Sequence, residues 1–147
     1  MKVCHIISGL NPGGAEYTLY KLIKYQQDVT IEHVVISLKD KSVLGIKLEN
    51  LNIRVYEINL NYLNFIIKFF LLIKILNFEK PSIIQCWMFH ANLFGGIASK
   101  LLNIKKIFWN FRHSNLTFKD SKFKTIIISK FINLLAYYIP YKIILCS

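Results

Sequence analysis

Short apolar runs alternate along the chain with longer segments in which apolar residues recur every three or four positions. The first run, Val3 to Ile7, is typical of a buried strand, and loop-forming residues 8–14 separate it from a helical pattern over about residues 14–27. The same criteria predict further strands at residues 31–38, 52–57, 82–87, 107–111 and 142–147. Further helices are predicted at residues 40–51, 62–79, 90–103 and 121–139.

This alternation predicts an α/β fold: a Rossmann-like, doubly wound parallel sheet of about six strands with helices on both faces. Right-handed crossover connections favour the strand order 3-2-1-4-5-6, and the alternating pattern at 52–57 suits an edge strand. Ligands of such sheets bind beyond the carboxyl ends of the strands, where the strand order reverses, here between the first and fourth strands. The residues that follow the first, fourth and fifth strands are therefore the candidate site residues.

The glycine-rich loop after the first strand is a candidate anion site. The first N–H groups of a helix lack partners and the helix dipole is positive there, while Gly13 and Gly14 would let a ligand approach the backbone. The loop is neither a dinucleotide fingerprint, since Asn11 replaces the middle glycine, nor a P-loop, since Ala15 and Glu16 follow Gly14. A tight turn without a ligand is an equal alternative, and Glu16 most simply complements the helix dipole.

Two further polar segments follow the fourth and fifth strands. His90 would open the next helix, where a neutral imidazole can bind a hydroxyl or phosphate or act as a base; a helix-capping histidine is the alternative. Arg112 offers a bidentate fork for phosphate or carboxylate, and His113 and Ser114 add donors; a basic loop that caps a helix is the alternative. The sequence shows no metal-ligand spacing and no catalytic triad.

Composition narrows the class of protein and of partner. The 147 residues predict one domain, and 54% hydrophobic residues exclude disorder. The net charge is +11, and residues 105–147 carry eight cationic residues against one acid, which indicates nucleic acid, a phosphorylated ligand or an acidic membrane as partner. A merely solvated basic surface is the alternative. We expect Cys4, Cys86 and Cys146 to be buried free thiols.

The helix predicted over 62–79 is the longest apolar segment, but two lysines interrupt it, which argues against a membrane span. Its predicted core face consists of Phe65, Phe69, Leu72, Ile73 and Leu76. The opposite, membrane-facing side combines apolar and basic residues: Ile67, Lys68, Leu71, Lys74, Ile75 and Phe78. An interfacial membrane helix has such a face, and burial under a partner domain or a long loop is the alternative.

Three motifs, residues 12–16 (Pro-Gly-Gly-Ala-Glu), 85–96 and 109–114, together resemble the N-terminal domain of a bacterial family-four, GT-B type glycosyltransferase. The resemblance covers the whole chain. It implies that the Gly13-Gly14 loop lies against the donor diphosphate and that His90, the catalytic residue, lies beside the transferred sugar. It implies further cleft-lining or acceptor-side residues: Asn11, Glu16, Asn92, Arg112, His113 and Ser114. No metal or cofactor is implied, because a nucleotide-diphosphate sugar is the co-substrate.

The resemblance also implies retaining transfer to a cell-envelope polysaccharide or lipid-linked acceptor, at the inner face of the cell membrane. Such enzymes have a C-terminal domain with most of the nucleotide-sugar contacts. We therefore expect residues 1–147 to be a single domain, inactive alone and completed by a C-terminal domain or a partner chain. A non-catalytic module that docks on a membrane or a subunit is the alternative. An NAD-type domain is disfavoured by Asn11, and nucleic-acid binding rests on charge alone.

Overall fold

The computed structural model describes residues 1–26, 28–61, 63–111 and 134–145. Within these residues there are six strands: β1 (Lys2–Ile7), β2 (Glu32–Ser37), β3 (Arg54–Glu57), β4 (Ile83–Trp87), β5 (Ile107–Phe111) and β6 (Lys142–Leu145). Four helices connect the first five strands: α1 (Gly14–Lys24), α2 (Ser42–Glu49), α3 (Phe65–Glu79) and α4 (Met88–Leu101). Most of the helix predicted over 121–139 lies outside the described residues.

All five strand pairs are parallel, and the strand order is β3-β2-β1-β4-β5-β6. This confirms the predicted fold class, the doubly wound order and the place of β3 at an edge. The predicted start of α4 at His90 was two residues late. Trp87 is still extended, and Met88 turns the chain with a φ of 72°, so β4 passes into α4 without a loop.

Helices cover both faces of the sheet. On one face, Ile6 and Ile84 belong to a core cluster with Leu72 and Leu76 of α3 and with alanines of α4. On the other face, Ile7 and Val35 pack with leucines of α1 and α2. Because neighbouring residues of β1 contribute to opposite cores, the strand is buried on both sides, as its continuous apolar run predicts.

α3 buries a wider arc than its predicted core face. Leu72 and Leu76 are buried and Phe69 packs against the same cluster, as expected. Phe65 is 48% exposed, so its predicted core position was wrong: it begins the helix, where the first turn extends past the core. Ile75, predicted on the outer face, instead packs against the core cluster. No helix of the described segments is long and apolar enough to cross a membrane.

A buried carboxylate ties α3 to the amino ends of the strands. Glu79, the last residue of α3, accepts hydrogen bonds from Nζ of Lys2 at 2.9 Å, Nη2 of Arg54 at 3.0 Å and the hydroxyl of Tyr56 at 2.6 Å. Its side chain is 1% exposed. Burial alone would raise the pKa of Glu79, but the hydrogen bonds from Tyr56 and Lys2 and the charge of Arg54 lower this pKa below its usual value.

We expect Glu79→Gln to destabilise the fold at pH 7 by about 2 kcal/mol, because it removes a buried carboxylate that accepts hydrogen bonds from the partly buried Lys2, the half-exposed Arg54 and Tyr56. The native carboxylate stabilises the fold above the unfolded-state pKa of 4.5, and this contribution disappears as the pH falls through the lower folded-state pKa. Urea unfolding at pH 7 and below pH 4.5 measures both effects. Glu32→Gln, at an exposed carboxylate of the same edge, should cost less than about 1 kcal/mol; equal losses for the two variants would contradict this role.

We expect Gly95→Ala to destabilise the fold by about 1 kcal/mol or more. A Cβ on Gly95 of α4 would lie 2.8 Å from both Sγ of Cys86 and Cδ1 of Ile6, and overpacking a core costs about 1–3 kcal/mol, which exceeds the gain in helix propensity. Gly9→Ala is the control, since its Cβ would lie no closer than 3.6 Å to another side chain. Urea unfolding compares the two; a stability equal to that of the native chain for Gly95→Ala would disprove the close packing.

Candidate functional site

The carboxyl edge of the sheet collects polar residues from four connections. The Gly9–Gly14 loop follows β1, Lys39 follows β2, Asn59 to Asn61 follow β3, and His90 lies in the first turn of α4 after β4. The strand order reverses between β1 and β4, as predicted. A parallel doubly wound sheet has its ligand crevice at this place.

The glycine loop places a carboxylate at the start of α1. Gly13 is the N-cap residue, is fully extended (φ −162°, ψ 173°) and accepts a hydrogen bond from the N–H of Tyr17 at 2.9 Å. Glu16 lies in the first turn, and its carboxylate folds against Gly13: a Cβ there would lie 2.5 Å from Oε2. Glu16 therefore complements the positive end of the helix dipole, as predicted, and an incoming anion must displace or share this position.

An open cavity of about 350 Å³ lies beside the loop, beyond the ends of β1, β2 and β3. Asn11 lines it, and its Oδ1 accepts a hydrogen bond from the hydroxyl of Ser42 at 2.7 Å. The other lining residues are Lys39, Asp40, Asn59, Leu60 and Asn61. Amide, carboxylate and ammonium groups around one cavity suit a ligand rich in hydroxyl groups. Sequence reasoning missed this cavity, and the Asn-Leu-Asn run after β3 was the signal that could have indicated it.

His90 is exposed at the surface, although enough protein surrounds its imidazole to change its titration. Partial burial and the charge of Lys39 lower the pKa of His90 below 6.5. The imidazole is therefore mainly neutral at pH 7 and offers one N–H donor and one nitrogen acceptor. The sequence did not predict that Lys39 lies close enough to His90 to affect its titration.

Asn92 lies beneath the site rather than along it. The structure buries this side chain completely, so Asn92 does not line the cleft as predicted. Its amide donates to the carbonyl of Asn110 at 3.4 Å, and the side chain of Asn110 donates to the carbonyl of Cys86 at 3.0 Å. Asn92 therefore ties α4 to β5 and so positions the first turn of α4. Arg112, His113 and Ser114 lie outside the described residues, and their roles stay predictions.

Two histidines and a tryptophan form a buried chain of hydrogen bonds within the sheet. The indole N–H of Trp87 donates to Nδ1 of His5 at 3.4 Å, so Nε2 of His5 carries the proton that is shared with Nδ1 of His33 at 3.0 Å. Burial, with a smaller contribution from His33, lowers the pKa of His5 to about 3. These histidines have a structural role within the sheet, and His5 holds the indole of Trp87, the residue at which β4 ends.

Comparison with solved structures shows the same fold in proteins crystallised with uridine nucleotides and in MurG. Alr3699/HepE from Anabaena, crystallised with UDP and with UDP and glucose, matches 97% of this chain with a TM-score of 0.74 and 18% identity in the UDP complex. MurG from Acinetobacter baumannii matches 99% of it (TM-score 0.64, 14% identity). UDP-GlcNAc 2-epimerase from Neisseria meningitidis, bound to UDP-GlcNAc, also matches 99% (TM-score 0.56, 18% identity).

These matches define the architecture of the chain. It corresponds to one half of a GT-B-type fold, since it spans 37% of HepE, 41% of MurG and 46% of the epimerase. At identities below 20%, the likeness establishes the fold and not the activity. No protein-family model and no curated protein sequence matches this chain.

Proposed function

We propose that this chain is the N-terminal, acceptor-side domain of a retaining family-four glycosyltransferase. In this proposal the enzyme transfers a sugar from a nucleotide-diphosphate sugar to a cell-envelope polysaccharide or lipid-linked acceptor. The observation that carries it is the match to one half of structures crystallised with UDP, glucose and UDP-GlcNAc. The three sequence motifs supply the family and the retaining outcome. Because the chain spans less than half of these neighbours, a second domain would supply the remaining nucleotide contacts.

The glycine loop would hold the donor diphosphate. Gly13 and Gly14 stand where α1 begins, and neither carries a side chain that would keep a ligand away from the backbone. When the bond between the anomeric carbon and the diphosphate breaks, the electron pair stays on the diphosphate oxygen. N–H groups and a helix dipole that are already oriented toward this oxygen stabilise the developing charge.

His90 would orient the sugar across the crevice from this loop. Its neutral imidazole can donate to one sugar hydroxyl or accept from another, and its place in the first turn of α4 fixes its position. The acceptor would enter beside Asn11, where the polar cavity at the ends of β1–β3 matches a hydroxyl-rich molecule.

The outer side of α3 would contact an anionic membrane. Ile67 is 72% exposed and Phe70 65% exposed, and Lys68 and Lys74 lie on the same helix. Large exposed apolar side chains next to lysines favour adsorption at the boundary between headgroups and acyl chains. The net charge of +11 attracts the chain to such a surface.

UDP and inorganic pyrophosphate should shift the amide NMR resonances of residues 9–14 and of His90, with a Kd on the order of 1 mM, while uridine should not. Gly13→Val should abolish these shifts without unfolding the chain, because Gly13 is extended and its new side chain would meet only the flexible end of Glu16, which can move aside. Asn77→Val, on exposed α3 surface, is the matched control. Shifts confined to other residues, or undiminished shifts in Gly13→Val, would refute the diphosphate site.

Flotation with vesicles that contain anionic phospholipid tests the membrane contact. The native chain should float, and the double variant Ile67→Glu/Phe70→Glu should stay in the dense fraction, because two carboxylates replace inserted apolar side chains. Leu22→Glu/Val43→Glu is the control, since it places the same charges at exposed positions of α1 and α2 on the opposite face. If both double variants float equally, or if the native chain does not float, α3 is not a membrane-binding helix.

A further inference from the structure

Lys39 reaches from β2 across the end of β1. It follows β2 by two residues and is exposed. A Cβ built on Gly9 would lie 3.6 Å from Cδ and 3.8 Å from Cβ of Lys39, so the aliphatic part of the lysine packs over the first residue of the glycine-rich loop. Because Gly9 has no side chain, the aliphatic part of Lys39 has room to pass over it.

The charged end of Lys39 lies within electrostatic reach of His90. Lys39 is one of the two causes that lower the pKa of this histidine. His90 belongs to α4, on the far side of β1 from β2, so the charge of Lys39 acts across the end of β1, beside the point where the strand order reverses. A positive charge at this place serves a ligand that enters between β1 and β4.

Lys39 is not neutralised by an ion pair within the described segments. There, the salt bridges take Lys2, Lys41 and Arg54, and Lys39 is not a member of any of them. Ser8 precedes Gly9 in the sequence, and its buried hydroxyl has no hydrogen-bond partner among the described residues. An exposed cation and an unsatisfied hydroxyl therefore adjoin the same glycine.

We propose that Lys39 is the side chain of this domain that binds the diphosphate of a sugar nucleotide, at the end of β1 and opposite His90. This inference rests on the proposed function and adds to it a residue that the three motifs do not contain. A lysine ammonium binds phosphate as a compact charge with three donors, on a stem long enough to follow the ligand. The backbone N–H groups of the loop and Lys39 would then contact the diphosphate from two sides.

NMR titration with inorganic pyrophosphate tests this role in the native chain and in Lys39→Gln, Lys39→Arg and Lys21→Gln. We expect Lys39→Gln to weaken pyrophosphate binding about tenfold, the effect of one lost charged contact, and Lys39→Arg to retain binding within about twofold. Lys21→Gln removes the same charge from the last turn of α1, away from the site, and should bind as the native chain does. Because Lys39 is exposed, its variants should remain folded.

The imidazole resonances of His90 give a second, independent reading. The pKa of His90 should rise in Lys39→Gln, because the nearby positive charge is removed. This pKa should not change in Lys21→Gln. Unchanged pyrophosphate affinity in Lys39→Gln, or an equal loss in Lys21→Gln, would overturn the role of Lys39 while leaving the diphosphate site intact. If the native chain does not bind pyrophosphate at all, the proposed function fails together with this inference.

Discussion

The buried carboxylate of Glu79 is the constraint on which the arrangement of the chain depends. One side chain at the end of α3 binds Lys2 of β1 and both Arg54 and Tyr56 of β3. A carboxylate without these donors could not remain charged inside the protein, and the donors would be left unpaired without it. The interaction therefore fixes how far α3 extends before the chain turns into β4. Hydrogen bonds and ion pairs, in addition to apolar packing, therefore hold α3 against the amino edge of the sheet.

The two edges of the sheet differ in how their charges are paired, and the carboxyl edge is available for ligands. At the amino edge, acidic and basic side chains satisfy one another: Glu79, Lys2, Arg54 and Glu32 form one network. At the carboxyl edge, Lys39 takes part in none of the ion pairs of the described residues, and the glycine loop offers backbone instead of side chains. Charge that is compensated within the protein contributes to folding, whereas charge left uncompensated is available to bind a ligand.

The strand order of the sheet could be predicted from the sequence, but the contacts within the candidate site could not, for a physical reason. Strand order follows from local periodicity and from the handedness of crossovers, and both are encoded within short segments. The site depends on side-chain paths between segments: Lys39 over Gly9, or the carboxylate of Glu16 against Gly13, joins residues by contacts that no periodicity predicts. Asn92 shows the converse, since its position after β4 suggested exposure and only packing against β5 buries it.

In the proposed site, Glu16 and Lys39 together would determine which anions bind at the glycine loop. The carboxylate of Glu16 already complements the start of α1, so a weak monoanion gains little by replacing it. A diphosphate brings more charge and more acceptor oxygens, and it can contact the backbone of the loop and the ammonium of Lys39 at once. The acid of the motif and the lysine beyond β2 would therefore favour a multivalent anion over chloride or a single carboxylate. The mismatch of this loop with dinucleotide and P-loop spacings is then consistent with the proposed binding, because the ammonium of Lys39 would supplement the backbone contacts once Glu16 is displaced.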